Sequence, residues 1–199
     1  PHSSGFRPYR AQKHAIRDII NVINAGCKSP DQAVWAVEGD IQGCFDNISH
    51  RILLQKVWRM GIHDKRVLKI ISQMLKAGYI ERDLYHKTET GTPQGGILSP
   101  LLSNIYLNDF DWYVGRTYME PHCKCKHKCN DTRRLKWAGT TPKYNFRYAD
   151  DWVVLTSTEK EAFRMKRELT KYFKQKLKLE LSQEKTYVTD LRRGGIHFL

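Results

Sequence analysis

Apolar residues recur at helical and strand spacings along most of the chain. Apolar positions three and four residues apart predict helices over 8–25, 49–61, 64–78, 99–115 and 159–179. Runs rich in β-branched and aromatic residues predict strands over 32–41, 144–148, 152–156, 185–191 and 196–199. This order suits an antiparallel sheet with helices packed on one face, which is an α+β fold.

Capping residues support three of the predicted helix starts. Ser49 and Asp64 open two of the helices as candidate caps, and Ser99 opens a third. Pro100 then falls at the first helical position, where its missing N–H costs nothing. The helix over 99–115 is expected to bury Leu101, Leu102, Ile105, Leu107 and Trp112, and the helix over 159–179 is expected to bury Phe163, Leu169, Tyr172, Phe173 and Leu177.

Charge narrows the class of partner. The chain has 199 residues, enough for one core or for a domain with a smaller subdomain, and its 34 Lys and Arg against 21 Asp and Glu give a net charge of +13. So basic a chain favours nucleic acid as partner, and no apolar run reaches membrane-spanning length, so no membrane partner is predicted. Five cysteines, an odd number, are interpreted as reduced thiols in a cytoplasmic protein.

Two adjacent aspartates interrupt the predicted sheet. Asp150 and Asp151 lie in "YADD", and adjacent strand residues share one site only if the backbone turns there. Asp40 ends another predicted strand, so three carboxylates would converge if the two strands were neighbours. Such a cluster is tolerable chiefly around divalent cations, and two Mg²⁺ ions roughly 3.5–4 Å apart serve phosphoryl transfer. Taken alone, the pair also fits a solvated turn.

Five blocks, in order along the chain, carry a resemblance. They are "SGFRPYRAQKHAI" (4–16), "GDIQGCFDNISH" (39–50), "GTPQGGILSPLLSNIYLNDFD" (91–111), "YADD" (148–151) and "LSQEKT" (181–186). Together they resemble reverse transcriptases, and the first and third favour the proteins encoded by bacterial group II introns over retroviral enzymes.

The resemblance implies a polymerase palm with part of the fingers. Fingers elements would occupy about 1–32 and 61–98, and the palm would occupy 33–60 and 99–199. The implied activity is RNA-directed DNA synthesis: a primer 3′-OH, activated by one Mg²⁺, attacks the α-phosphate of a dNTP whose triphosphate the second Mg²⁺ holds. Because the chain starts at Pro1 and stops within a predicted strand, we expect it to be a fragment without the thumb. Such a fragment is expected to have weak polymerase activity or none.

The implied partners are group II intron RNA, an RNA template with a DNA primer, dNTPs and, for a full-length protein, target DNA. Besides intron mobility, the family acts as a maturase in intron splicing, so an RNA-binding scaffold with little catalysis stays open. Retron, diversity-generating and CRISPR-associated reverse transcriptases share the hairpin and also stay open. Uncovered sheet edges leave a homodimer open as well.

Carried over by position, the resemblance makes Asp40, Asp150 and Asp151 the metal-site carboxylates, with the backbone carbonyl of Ile41 completing the coordination. Two Mg²⁺ ions are implied, with Mn²⁺ as a substitute. Lys185 would protonate the departing pyrophosphate.

Nucleotide contacts follow in the same way. The residues implied are Arg7, Arg10, Gly43, Cys44, Phe45 and Gln94. Phe45 stands at the steric-gate position, where a ring fills the space of a ribose 2′-OH. Arg7 would grip the triphosphate with Arg10 as an auxiliary, whereas Lys13 is first interpreted as part of a solvated basic face.

A polar insertion separates two of the blocks. It contains His122, Cys123, Cys125, His127 and Cys129, but its Cys-x-Cys and Cys-x₃-Cys spacings do not match common zinc sites, so zinc is not favoured. Its basic residues are expected to contact RNA phosphate instead; they are Lys124, Lys126, Lys128, Arg133, Arg134 and Lys136.

Overall fold

A computed structural model describes residues 3–26, 34–77, 79–81, 84–86, 90–92, 96–119 and 143–198. The helices are α1 (Gln12–Gly26), α2 (His50–Arg59), α3 (Lys65–Lys76), α4 (Ser99–Val114) and α5 (Glu159–Tyr172). Single π-helical turns, Gly115–Met119 and Phe173–Leu177, continue α4 and α5. Within the described residues no helix is long and apolar enough to cross a membrane.

All five predicted helices form, but their caps differ. The Asp64 carboxylate accepts a hydrogen bond from the Arg66 amide, as an N-cap should. Ser49 occupies the N-cap of α2 without a side-chain bond. The prediction for Ser99 was wrong: Leu98 is the N-cap and Ser99 is already helical, with Pro100 in the first turn.

The strands are β1 (Trp35–Gly39), β2 (Tyr79–Glu81), β3 (Leu84–His86), β4 (Tyr144–Tyr148), β5 (Asp151–Thr156) and β6 (Tyr187–Asp190). Four of them form an antiparallel sheet in the order β4-β5-β1-β6, while β2 and β3 form a separate hairpin that the sequence pattern did not predict, since three-residue strands are too short for periodicity. The predicted strand over 196–199 was wrong for residues 196–198, because β6 already pairs with that edge of β1 and the His197 amide donates to the Glu38 carboxylate at 2.6 Å.

The central strands β1 and β5 are buried on both faces. Val37, Trp152 and Val154 face the larger core, which α2, α4 and α5 cover. Phe110 of α4 packs there with its ring centroid 5.4 Å from Trp152 and 4.8 Å from Phe173. The helices therefore pack on one face, as expected for this α+β fold, except that α1 covers part of the other face over Ala36, Val153 and Leu155.

Some residues expected in the core lie at the surface. Leu101, Trp112 and Phe163 are 53%, 37% and 50% exposed. In α4 the buried stripe follows Leu102, Tyr106 and Phe110 at four-residue spacing, which turns Leu101 and Trp112 outward. Periodicity predicted the right helices but assigned too many residues of α4 to its buried side.

Gly39 generates a stability prediction. A Cβ built on Gly39 would lie 2.2 Å from the ring of Trp152, which is 1% exposed and cannot move aside. We expect Gly39→Ala to lower the free energy of unfolding by about 1–3 kcal/mol, the usual cost of overpacking. Urea denaturation measures it. Gly195→Ala is the control, since no atom lies within 4 Å of its Cβ position; equal effects for the two variants would contradict the packing argument.

Candidate active site

The two adjacent aspartates stand at a tight hairpin. Tyr148 pairs with Asp151 across β4 and β5, so Ala149 and Asp150 form the two-residue turn between them. Ala149 has φ +56°, a conformation that residues with a Cβ adopt only when their surroundings hold them there. The backbone therefore turns where the sequence required it to turn.

Asp40 arrives at the same end of the sheet through strand pairing. β1 pairs with β5 with Gly39 opposite Trp152, so the next position along β1 places Asp40 beside Asp151. The backbone around Asp40 is held by residues 180–182: the Ser182 amide donates to the Asp40 carbonyl, and the Gln42 amide donates to the Glu180 carbonyl, both at 2.9 Å. The two strands that bear the carboxylates are therefore neighbours, which was the condition for the carboxylates to converge.

The carboxylates are close enough to affect one another. Burial raises the pKa of Asp150, and the charge of Asp40 raises it further. Burial also raises the pKa of Asp151, and the charges of Asp150 and Asp40 add to that. The Lys185 ammonium lies 3.1 Å from Asp40 Oδ2, and this hydrogen bond raises the pKa of Lys185. The carboxylates at this end of the sheet therefore repel one another, and the Lys185 ammonium neutralises only part of their negative charge.

A cavity of about 560 Å³ opens beside the carboxylates. It brings together seven residues predicted from the sequence: Asp40, Ile41, Gly43, Cys44, Phe45, Asp150 and Lys185. Its wall is completed by Asp46, Gly96, Ile97, Ser99 and Pro100. The Ile41 side chain belongs to the larger core, which is compatible with a role for its backbone. The volume is in the range of small-molecule sites.

A turn after β1 presents Phe45 to this cavity. Gly43 has φ +51°, and a second segment backs the turn: the Thr92 amide donates to the Phe45 carbonyl at 2.7 Å and the Gly91 amide donates to the Ile48 carbonyl at 2.8 Å. Gly91 has φ +87°, and its Cβ position lies 2.7 Å from the Asp46 carbonyl oxygen, so only glycine fits there. This role of Gly91 was not predicted from the sequence, although a glycine in a loop was the available signal.

Cys44 forms part of the cavity wall as a protonated thiol. It is buried, with its sulfur 3.9 Å from Ser103 Oγ. Burial raises the pKa of Cys44 to about 12, and the charge of Asp150 contributes. Its chemistry is therefore that of a small apolar group, which agrees with a packing role beside the cavity.

Other predicted residues are not brought to the cavity wall. Arg7 and Arg10 are exposed, and the Arg7 guanidinium donates to the Ser3 carbonyl at 3.1 Å. Gln94 and the basic and Cys/His residues over 122–136 lie outside the described residues.

The described residues contain no group of three His, Cys, Asp or Glu side chains arranged closely enough to hold a metal ion. The Lys185 ammonium already occupies one oxygen of Asp40. The donor chemistry nevertheless fits a hard divalent cation, because Asp40, Asp150 and Asp151 are carboxylates of like charge that repel one another at a partly buried site.

A family model for "Reverse transcriptase (RNA-dependent DNA polymerase)" matches residues 1–199. The chain is 36% identical over 228 residues to the group II intron-encoded protein LtrA of Lactococcus lactis subsp. cremoris, covering 94% of this chain and 37% of that protein. It is 32% identical over 205 residues to protein YkfC of Escherichia coli K12, covering 98% of this chain and 53% of that protein. The chain thus spans between about a third and a half of the length of these two relatives.

Solved structures agree on the fold. Apo telomerase from Candida tropicalis superimposes with a TM-score of 0.64 at 14% identity, covering 98% of this chain and 34% of that chain. Telomerase from Candida albicans, in complex with a fragment of telomeric RNA, gives a TM-score of 0.65 at 12% identity, covering 95% and 32%. At this identity the likeness supports the polymerase palm and fingers architecture and nothing finer.

The raised pKa of Asp150 generates a stability prediction. A raised carboxyl pKa means that the folded chain holds its proton to higher pH than the unfolded chain, so ionised Asp150 destabilises the fold above the carboxyl titration range. In metal-free buffer at pH 7, Asp150→Asn should raise Tm by about 1–2 °C, less than the roughly 2–4 °C equivalent to 1 kcal/mol, since partial exposure screens the charge. Calorimetry measures Tm.

The gain should vanish as the pH falls below the pKa of an unfolded Asp, about 3.9, because both side chains are then uncharged. Asp46→Asn is the control, an exposed carboxylate on the same cavity wall. A lower Tm for Asp150→Asn at pH 7 would contradict the electrostatic argument.

Proposed function

The chain belongs to the reverse transcriptase family, and on that premise we propose that it supplies the catalytic carboxylates of an RNA-directed DNA polymerase encoded by a group II intron. The observation that carries the proposal is the arrangement of Asp40, Asp150, Phe45 and Lys185 around one cavity at the end of the sheet. The reaction would join the α-phosphate of a dNTP to a primer 3′-OH on an RNA template and release pyrophosphate.

The residues that would hold metal are Asp40, Asp150 and Asp151, with the backbone carbonyl of Ile41. When bound, two Mg²⁺ ions, or Mn²⁺ as a substitute, would supply activation of the primer hydroxyl and neutralisation of the triphosphate. The raised pKa values of Asp150 and Asp151 support this assignment, because a cation would offset both the burial and the repulsion that raise them. For a cation to bind Asp40 through Oδ2, Lys185 would have to leave that oxygen.

The chain's own residues would position the nucleotide. Phe45 lines the same cavity as Asp40 and Asp150, so its ring can limit the space beside the sugar. Gly43 and Cys44 line the wall next to it. Lys185 remains near the site once displaced, where its ammonium can donate a proton to the leaving pyrophosphate. Arg7, Arg10 and Gln94 are proposed as further nucleotide contacts on the resemblance alone.

The organisation and partners follow as proposals from the same family. Fingers elements would occupy about 1–32 and 61–98 and the palm 33–60 and 99–199. The protein would use group II intron RNA, a primed RNA template and target DNA, in the bacterial cytoplasm. A maturase role in splicing is supported by the net charge of +13, which favours contact with RNA phosphates.

Primer extension on an RNA template by the full-length protein tests the polymerase. Asp150→Ala and Asp151→Ala should each reduce nucleotide incorporation by at least about 100-fold, the scale of loss when a group that stabilises transition-state charge is removed. RNA binding by the same variants should be unchanged, because RNA phosphates would meet basic residues instead. Asp64→Ala, which removes an exposed cap on α3, is the control. Undiminished synthesis by both variants would remove the catalytic assignment and leave RNA binding as the function.

Phe45 generates a selectivity prediction. Phe45→Ala should increase use of ribonucleotides relative to deoxyribonucleotides by on the order of 10- to 100-fold, the limit for a pocket that rejects one hydroxyl by its shape. Competition between a dNTP and the matching rNTP measures the ratio. Phe163→Ala, an exposed Phe of α5, is the control. An unchanged ratio would show that Phe45 only packs against the cavity wall.

A further inference from the structure

Arg147 is a fully buried arginine in the strand that leads to the carboxylates. It is 1% exposed and lies in β4, three residues before Asp150. Its Nε donates to Asp111 Oδ1 at 2.9 Å and its Nη2 donates to Asp111 Oδ2 at 2.7 Å. Asp111, on α4, is 4% exposed. The planar guanidinium therefore forms a bidentate pair away from water, which fixes its orientation.

The remaining nitrogen of Arg147 points to the hairpin. Nη1 donates to the Ala149 carbonyl at 2.6 Å and to Asn104 Oδ1 at 3.2 Å. Ala149 is the residue with φ +56° that immediately precedes Asp150. One side chain thus ties the strained residue of the turn to two residues of α4. Only arginine offers donors in such a fork, since lysine has a single charged nitrogen.

The N-terminal segment closes the turn from another side. Asn104 Nδ2 donates to the Gly5 carbonyl at 2.8 Å, and the Ser4 amide donates to the Arg147 carbonyl at 2.8 Å. A Cβ on Gly5 would lie 2.3 Å from the Ala149 amide nitrogen, so this segment sits directly against the turn. The turn is therefore held between Arg147 and residues 3–5.

We propose that Arg147 is a positioning residue, which with Asp111 and Asn104 fixes the Ala149–Asp150 turn and thereby the direction of the Asp150 carboxylate. The inference rests on the proposed function, in which Asp150 holds metal. A buried ion pair alone adds little stability compared with apolar residues of similar size. Apolar residues could replace the contribution of the ion pair to stability. They could not replace the hydrogen bond from Arg147 to the Ala149 carbonyl, which orients the turn.

The test separates folding from positioning by replacing the ion pair with apolar residues. Arg147→Met/Asp111→Leu removes both charges together and leaves no buried charge unpaired, so Tm should stay within a few degrees of the wild-type value. In the metal-free chain, amide hydrogen exchange at Asp150 and Asp151 should become at least about tenfold faster, because the turn has lost its anchor. Mn²⁺ affinity, measured by electron paramagnetic resonance, should fall by about 10- to 100-fold.

Two further variants complete the design. Arg147→Lys keeps the charge beside Asp111 but loses the fork, and should show the same defects even if the double variant does not fold. Lys143→Met breaks an ion pair next to the end of β4 that lies away from the turn, between the buried Lys143 and the partly exposed Glu161 at 3.0 Å. It should lower Tm and leave exchange at Asp150 and Mn²⁺ affinity unchanged.

In primer extension by the full-length protein, the Arg147 variants should lower kcat while KM for the primed template stays within about twofold of the wild-type value, because the Asp150 carboxylate that Arg147 positions would act on the transition state and not on binding of the template. A folded double variant or Arg147→Lys with wild-type exchange at Asp150 and Asp151 would overturn the proposal. Failure of the polymerase proposal would look different: Asp150→Ala would extend primers as well as the wild type, while the exchange measurement would still decide the role of Arg147.

Discussion

The pairing of β1 with β5 is the interaction on which the rest of the site depends. With Gly39 opposite Trp152, this register sets Asp40 beside Asp151 and makes one end of the sheet acidic. A shift of one residue would turn the side chains of one strand to the other face, so the register and the carboxylate site are specified together. The Trp152 ring, which leaves no room for a Cβ on Gly39, fixes this register by packing.

The chain keeps this acidic end at a cost in stability. Burial and mutual repulsion raise the pKa values of Asp150 and Asp151, and Ala149 adds a strained backbone conformation beside them. The surroundings that hold them are rigid: a close-packed core below Trp152, the segment over 90–92 behind Phe45, and the buried Arg147 at the turn. Unfavourable local energy concentrated at one place, with firm support around it, is the usual arrangement of a functional site.

Much of the fold was predictable because the apolar residues of most helical segments recur at clear helical spacing. All five helices and the strands that form the central sheet were predicted, as was the convergence of Asp40 with the hairpin. The β2–β3 hairpin was missed because it is too short to show a pattern. Arg147 was missed because "YNFRY" alternates aromatic and polar residues, which normally predicts a solvated polar face. Here that polar face is turned inward, where Asp111 and Asn104 accept hydrogen bonds from Arg147.

The sequence by itself determined the α+β class, the family and the candidate site residues, because these depend on local spacing and on residue type. Only the tertiary structure decided which of them meet. It placed Phe45, Lys185 and two aspartates around one cavity, left Arg7 and Arg10 outside its wall, and gave Cys44 a buried, protonated thiol. Distances, burial and charge coupling arise between segments far apart in the chain, and no local pattern encodes them.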